Sequence, residues 1–329
     1  MTAAVPVIDV RDLKKHFPIG NDPIAQILGR KQKSVRAVDG VSLKVVHGQT
    51  LGLVGESGSG KTTLGKTIVR LYKPTAGNIL FRGTDIASLE GKELKGFRSE
   101  AQMVFQDPYE SMNPRFTAGE TLVEPLLIHR VGTPDQRWEM AIQMLERVGL
   151  KPAEEFMDRF PHEMSGGQRQ RVCIARALIV KPKVLVADEP VSMLDVSIRA
   201  DILNLLRGLI DEMGLASLYI SHDLSLIRYV CDTVAILYLG RVVEMGPTED
   251  IIQNPLHPYS QALLAAVPVP DPRFRHDEDP LEGEPPNPVD LPPGCRFRPR
   301  CQQATPRCLE QEPEPSFDGE RYVECHLHS

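Results

Sequence analysis

One stretch constrains this chain more than any other: Gly55-Glu-Ser-Gly-Ser-Gly60-Lys61-Thr62, which matches G-x-x-x-x-G-K-[ST] in full. The apolar run Leu51 to Val54 leads into it. Leu64, Ile68 and Leu71 follow at helical spacing, so the pattern predicts strand, loop and helix, the helix ending before Pro74. Such a loop turns backbone N–H groups toward phosphate oxygens and places a helix N-terminus behind them. Gly55, Ser57, Gly58, Ser59, Gly60, Lys61, Thr62 and Thr63 are therefore candidate nucleotide contacts. Lys61 would reach the β- and γ-phosphates and Thr62 would hold Mg2+. A glycine-rich turn without ligand is the plainer alternative, and the flanking strand and helix speak against it.

A second carboxylate for the magnesium ion is expected at the end of another buried strand. Val184 to Ala187 is such a run, and Asp188 ends it. Glu189 comes next and could polarise an attacking water. Taken alone, an Asp-Glu pair after a strand is usually an exposed turn; the upstream loop raises its standing. From about Val7 to Pro268 short apolar runs alternate with amphipathic stretches, the pattern of an α/β fold with a mostly parallel sheet. Leu218 to Ser221 reads as a strand, and Val234 to Leu239 with Val242 to Met245 as a hairpin. Ile198, Ile202, Leu205, Leu209 and Met213 read as one helical stripe stopped by Gly214. Thr117 to Ala177 reads as helical and Asn21 to Lys33 as a surface loop. No internal repeat is visible, so one nucleotide unit is expected.

Ser165-Gly166-Gly167-Gln168 precedes a helical run to Leu178. Ser165 is a good N-cap, and the two glycines leave the helix amides open to an anion; an ordinary capped helix would use the same residues. Placed shortly before Val-Leu-Val-Ala-Asp-Glu-Pro, this motif closely resembles the ABC ATPase family. Gln106 in Val-Phe-Gln-Asp-Pro resembles that family's loop glutamine, which touches magnesium and faces the transmembrane subunits. Asp195 resembles the residue of the loop crossing the dimer interface, and His222 in Ile-Ser-His-Asp the switch histidine at the γ-phosphate. Phe17 aligns with the base-stacking aromatic, with His16 as a rival and a plain core aromatic as the alternative. Met164 and Met193 stand where leucine and alanine are usual, and both keep an apolar residue there. The resemblance implies a P-loop NTPase fold with a RecA-like core, an antiparallel β subdomain and a helical subdomain at about 108–180. It also implies a composite site: Lys61, Gln106, Asp188, Glu189 and His222 from one subunit, and Ser165, Gly167 and Gln168 from its partner.

Ala37-Val-Asp-Gly-Val-Ser42, Asn254-Pro-Leu-His-Pro-Tyr259 and Pro292-Pro-Gly-Cys295 together resemble the second ATPase subunit of dipeptide/oligopeptide importers. That implies ATP and Mg2+, a companion ATPase subunit (a heterodimer, or a homodimer), two permeases and an extracytoplasmic binding protein. The same subunit type serves importers of nickel chelates, opines and sugars, and other ABC ATPases act in translation or DNA repair. The last class usually shows two nucleotide units, a coiled-coil insert or a basic face. This chain has one unit, no sustained heptads and a net charge of -6, so nucleic acid is not an expected partner. No run approaches the roughly 18 to 20 apolar residues of a membrane span. No secretory pattern opens the sequence, so the cytoplasmic face of the bacterial inner membrane is expected, with attachment through permeases.

After Pro268 the composition turns proline-rich, and the expected division is an ATP-binding region over 5–268 and a linker with a cysteine-bearing tail over 269–329. Cys295, Cys301, Cys308 and Cys325 could complete a [4Fe–4S] cluster or a zinc site; free thiols or oxidised pairs are the other options, and a redox or metal-sensing role would be an addition at most. Relatives with an iron–sulfur cluster in this tail favour the first. The tail has few apolar residues, so a bound ion is expected to supply what packing cannot, with Arg296, Arg298 and Arg300 softening the cluster's charge.

Overall fold

The computed structural model describes residues 5–20, 33–266 and 283–329. The loop expected over Asn21 to Lys33 lies outside them except for Lys33, as does most of the acidic, proline-rich stretch after Pro268. In chain order the strands are β1 (Pro6–Pro18), β2 (Ser34–Val46), β3 (Thr50–Val54), β4 (Ala76–Phe81), β5 (Thr84–Asp85), β6 (Ala101–Val104), β7 (Val184–Asp188), β8 (Ala216–Ile220), β9 (Thr233–Tyr238), β10 (Arg241–Pro247), β11 (Ser316–Asp318) and β12 (Arg321–Val323). The helices are α1 (Lys61–Ile68), α2 (Gly91–Glu100), α3 (Pro108–Ser111), α4 (Ala118–Ile128), α5 (Pro134–Arg147), α6 (Ala153–Met157), α7 (Gly166–Leu178), α8 (Val196–Met213), α9 (Leu224–Val230), α10 (Thr248–Gln253), α11 (Pro258–Ala265) and α12 (Arg307–Glu310).

The chain divides into two compact units. One comprises residues 1–8, 45–49 and 80–219, the other 9–44, 50–79 and 220–329. In the first, β6 pairs parallel with β7, Ala101 opposite Val184 through Val104 opposite Ala187, and β8 lies beside β7. Every residue of β7 is buried, as its unbroken apolar run requires. The helices α4 to α7 fill the segment read as helical. Thr117 caps α4 in a capping box with Glu120, and Thr133 does the same for α5 with Gln136. The α8 stripe differs from expectation. Its buried residues are Ile202, Leu203, Leu206, Leu209 and Ile210, while Leu205 is only half-buried. The helix buries a broader face than that stripe: Ile202 and Leu209 of it are buried, and Ile198, Leu205 and Met213 are half-buried. Gly214 does end it, in the left-handed conformation (φ 60°).

In the second unit β3 pairs parallel with β9, Leu51 opposite Thr233 through Val54 opposite Ile236. β9 and β10 form the expected hairpin, Arg241 opposite Tyr238, turning through Leu239 and Gly240 at positive φ (44° and 80°). The tail then joins this sheet. β12 runs antiparallel to β10, Glu244 opposite Val323, and β11 pairs with β12. β1 lies between β2 and β4, where the Thr75 amide donates to the Lys14 carbonyl at 2.7 Å and the Asp12 amide to Ser42 Oγ at 3.0 Å.

The tail docks onto the unit through an aromatic ring and through buried ion pairs. Phe297, 3% exposed, packs its ring against Tyr238 and Tyr259, each 5.3 Å away between centroids, and against His257. Arg296 is buried and donates to the Leu239 carbonyl at 2.6 Å and to Asp39 Oδ2 at 2.5 Å. Burial works to raise the Asp39 carboxyl, but Arg296 and then His16 outweigh it and hold it below its ordinary value. So Arg296 and Arg300 pair with carboxylates of the unit, at Asp39 and Glu56. Even the end of the proline-rich stretch is tied down: the Arg36 amide donates to the Pro288 carbonyl, and Lys33 pairs with Asp290 at 3.0 Å.

Candidate functional site

In the second unit, Gly55 to Thr62 leaves β3 and enters α1. Gly55, Gly58 and Gly60 have positive φ (156°, 78° and 105°), a region that glycine reaches without strain. Lys61, 6% exposed, folds its ammonium onto the loop, donating to the carbonyls of Gly55 (2.6 Å) and Glu56 (2.8 Å), with Ser59 Oγ at 3.4 Å. Ser59 is buried, and its carbonyl accepts from the Gly240 amide at 2.9 Å. A cavity of about 560 Å3 opens beside the loop, lined by Glu56 to Ser59, by Tyr238 and Leu239, and by residues 284–288. His222 is exposed just beyond β8, followed by Asp223, which caps α9. Phe17 is half-buried near the end of β1, edge-on to Tyr72 at 5.5 Å, with Lys15 Nζ 4.8 Å from its ring. His16 is engaged elsewhere, 2.9 Å from Asp39.

In the first unit, Asp188 is buried at the end of β7. Glu189 follows with φ 44°, a left-handed backbone that costs a non-glycine residue about 1–3 kcal/mol and tends to mark functional positions. Its Oε2 accepts from Gln106 Nε2 at 3.1 Å, so these two candidates are brought together. Ser192 donates from both its amide and its hydroxyl to the Glu189 carbonyl. Ser165 caps α7 in a reciprocal box: its Oγ accepts from the Gln168 amide (3.3 Å), and Gln168 Oε1 accepts from the Ser165 amide (2.9 Å). Gly167 faces Ile198 of α8, where a β-carbon would come within 2.9 Å of the side chain. Thr62 and Thr63 lie in the first turn of α1, and Asp195 occupies the N-cap position of α8.

The four tail cysteines share one neighbourhood. The Cys295 amide donates to the Cys308 carbonyl at 2.9 Å. Burial pushes the Cys295 thiol up to about 11, aided by Cys308 and Cys325, and it raises Cys301 and Cys325 as well. Among the described residues no three His, Cys, Asp or Glu side chains converge to hold one ion. The arrangement does not support the expected iron–sulfur cluster, or zinc.

Sequence reasoning missed two contacts of the phosphate loop. The Glu56 amide donates to the Tyr259 hydroxyl at 2.9 Å, and the Glu56 carboxylate takes both ends of the Arg300 fork, at 2.6 and 3.0 Å. α11 is no surface helix, since its first turn is buried and Tyr259 is fully so.

Residues 38–192 match the ABC transporter family and residues 243–308 the oligopeptide/dipeptide transporter C-terminal region. The chain is 48% identical to the oligopeptide transport ATP-binding protein AppF of Bacillus subtilis, over 100% of both chains. It also resembles the dimeric bacterial ABC transporter cassette MJ0796 (29% identity, TM-score 0.64, covering 73% of this chain and 98% of that one). The same cassette bound to ADP and Pi, in a post-hydrolysis state, gives a TM-score of 0.63 at 28% identity, with the same coverage. Among the described residues no helix is long and apolar enough to cross a membrane. This chain, a mixed α/β P-loop ATPase, belongs to the ABC transporter ATP-binding subunits that carry the oligopeptide/dipeptide transporter C-terminal region.

Proposed function

We propose that the chain binds Mg·ATP at Gly55 to Thr63 and hydrolyses it within an ATPase dimer to drive import of di- or oligopeptides. The observation that carries this reading is Glu189, held in a left-handed backbone at the end of buried β7 with its carboxylate on Gln106. A carboxylate so oriented is suited to take the proton of an attacking water. The loop amides and Lys61 bind the phosphates, and Phe17 stacks on the base. Thr62, Asp188 and Gln106 are the residues that would hold a magnesium ion, which would offset phosphate charge. His222 contacts the γ-phosphate, and Ser165, Gly167 and Gln168 serve the partner's nucleotide. The names of the relatives favour peptides over nickel chelates, opines or sugars, and the matched C-terminal region favours transport over translation or repair. Two permeases would hold the chain at the cytoplasmic face of the inner membrane, beside a companion ATPase, with an extracytoplasmic binding protein delivering the solute. The division into 5–268 and 269–329 belongs to the same reading. The test is Glu189→Gln: it should bind ATP as the unaltered chain does and turn it over at least about a hundredfold more slowly. Near-normal turnover in the assembled transporter would remove Glu189 as the base.

A further inference from the structure

The phosphate loop carries a feature that its chemistry does not call for. Its second residue, Glu56, is an acid in a loop read as binding a polyanion. Beside phosphates an unpaired carboxylate repels the ligand, and the low local dielectric strengthens that repulsion. The structure shows how this charge is handled. Arg300, whose side chain is 4% exposed, takes the Glu56 carboxylate with both ends of its guanidinium, at 2.6 and 3.0 Å. Paired forks of this kind are strong and directional. The remaining polar groups of Glu56 are also engaged: its amide donates to Tyr259 and its carbonyl accepts from Lys61. The residue is thus fixed at three points, two of them supplied from beyond β10. Glu56 also lines the cavity that opens beside the loop.

We propose that Arg300 is a positioning residue for the phosphate loop: it neutralises Glu56 and fixes that residue, so that the loop accepts a nucleoside triphosphate. This rests on the nucleotide-binding reading above and adds the tail to the nucleotide site. The tail does not depend on this pair to stay docked. Phe297 is wedged among aromatic rings, Arg296 holds Asp39 and the Leu239 carbonyl, and β12 is paired with β10. Removing the Arg300 guanidinium therefore exposes the effect of the bare carboxylate rather than that of a detached tail.

The experiment measures equilibrium Mg·ATP binding to the full chain, unaltered, as Arg300→Ala, and as the double variant Arg300→Ala/Glu56→Gln. Arg300→Ala should weaken binding about tenfold or more, the scale of losing a charged hydrogen-bonded partner. In the assembled transporter the loss should appear in the KM for ATP more than in kcat. The double variant, which has no carboxylate left to neutralise, should recover most of the affinity. Unchanged affinity in Arg300→Ala overturns the proposal while leaving the nucleotide reading intact. A loss that Glu56→Gln does not recover also overturns it, because Arg300 would then serve only to hold the tail together. An unaltered chain that binds no Mg·ATP overturns the reading and the proposal together.

Discussion

A β-carbon on Gly60 would sit 2.0 Å from the Ala37 carbonyl oxygen, and one on Gly55 would sit 2.1 Å from that of Leu237. Both obstacles are backbone, so neither can swing aside, and both glycines have positive φ. We expect Gly60→Ala to weaken Mg·ATP binding by more than about tenfold and to lower stability by about 2 kcal/mol or more. Titration with a fluorescent ATP analogue and a denaturant melt would check the two effects. At this scale the strand, loop and helix around Gly55, Lys61 and Thr62 were legible, because their immediate neighbours carry the pattern. Tyr259 and Arg300 announce nothing. Their partner lies 203 and 244 positions away, and an arginine among prolines looks the same whether it meets solvent, a thiolate or a carboxylate.

The start of α7 is proposed to serve the partner subunit's nucleotide. That start is organised by Ser165 and Gln168, which cap each other, and by Gly167, which leaves room for Ile198. Ser165→Arg should cost about 1 kcal/mol through the lost cap and place a large cation where the partner's γ-phosphate is proposed to bind. The variant should still bind ATP in its own loop and fail to support hydrolysis at the other site. Separate measurements of binding and turnover in mixed assemblies test this, and loss of both in the isolated chain would point to misfolding. Strand and cap positions were the elements most readable from the sequence, since β3, β7 and the β9–β10 hairpin each carry a local signature. The faces of helices were less so. Apolar residues at Leu205 and Leu206 fit either of two stripes, and only the packing around α8 selects Leu206 for the interior. Likewise the composition of α11 allows a surface helix, and it is the aromatic cluster around Phe297 that buries Tyr259.

For the molecule as a whole, the tail was the part least accessible to sequence reasoning. Its scarcity of apolar residues suggested that a bound ion would supply what packing cannot, yet one phenylalanine, the arginines Arg296, Arg300 and Arg321 and a short strand dock it on a surface already built. Phe297→Ala should therefore destabilise the protein by about 3–5 kcal/mol, and Cys301→Ser, at a half-buried position, by far less. Denaturant titration of the two variants compares them directly; the reverse order would mean that the cysteines carry the load.

The pairing of β10 with β12 has a consequence in time. A ribosome delivers β10 long before β12, and until then the free edge of that strand is open to other chains. The growing polypeptide should lean on a chaperone during this interval, and the phosphate loop should acquire its final grip only as synthesis nears completion.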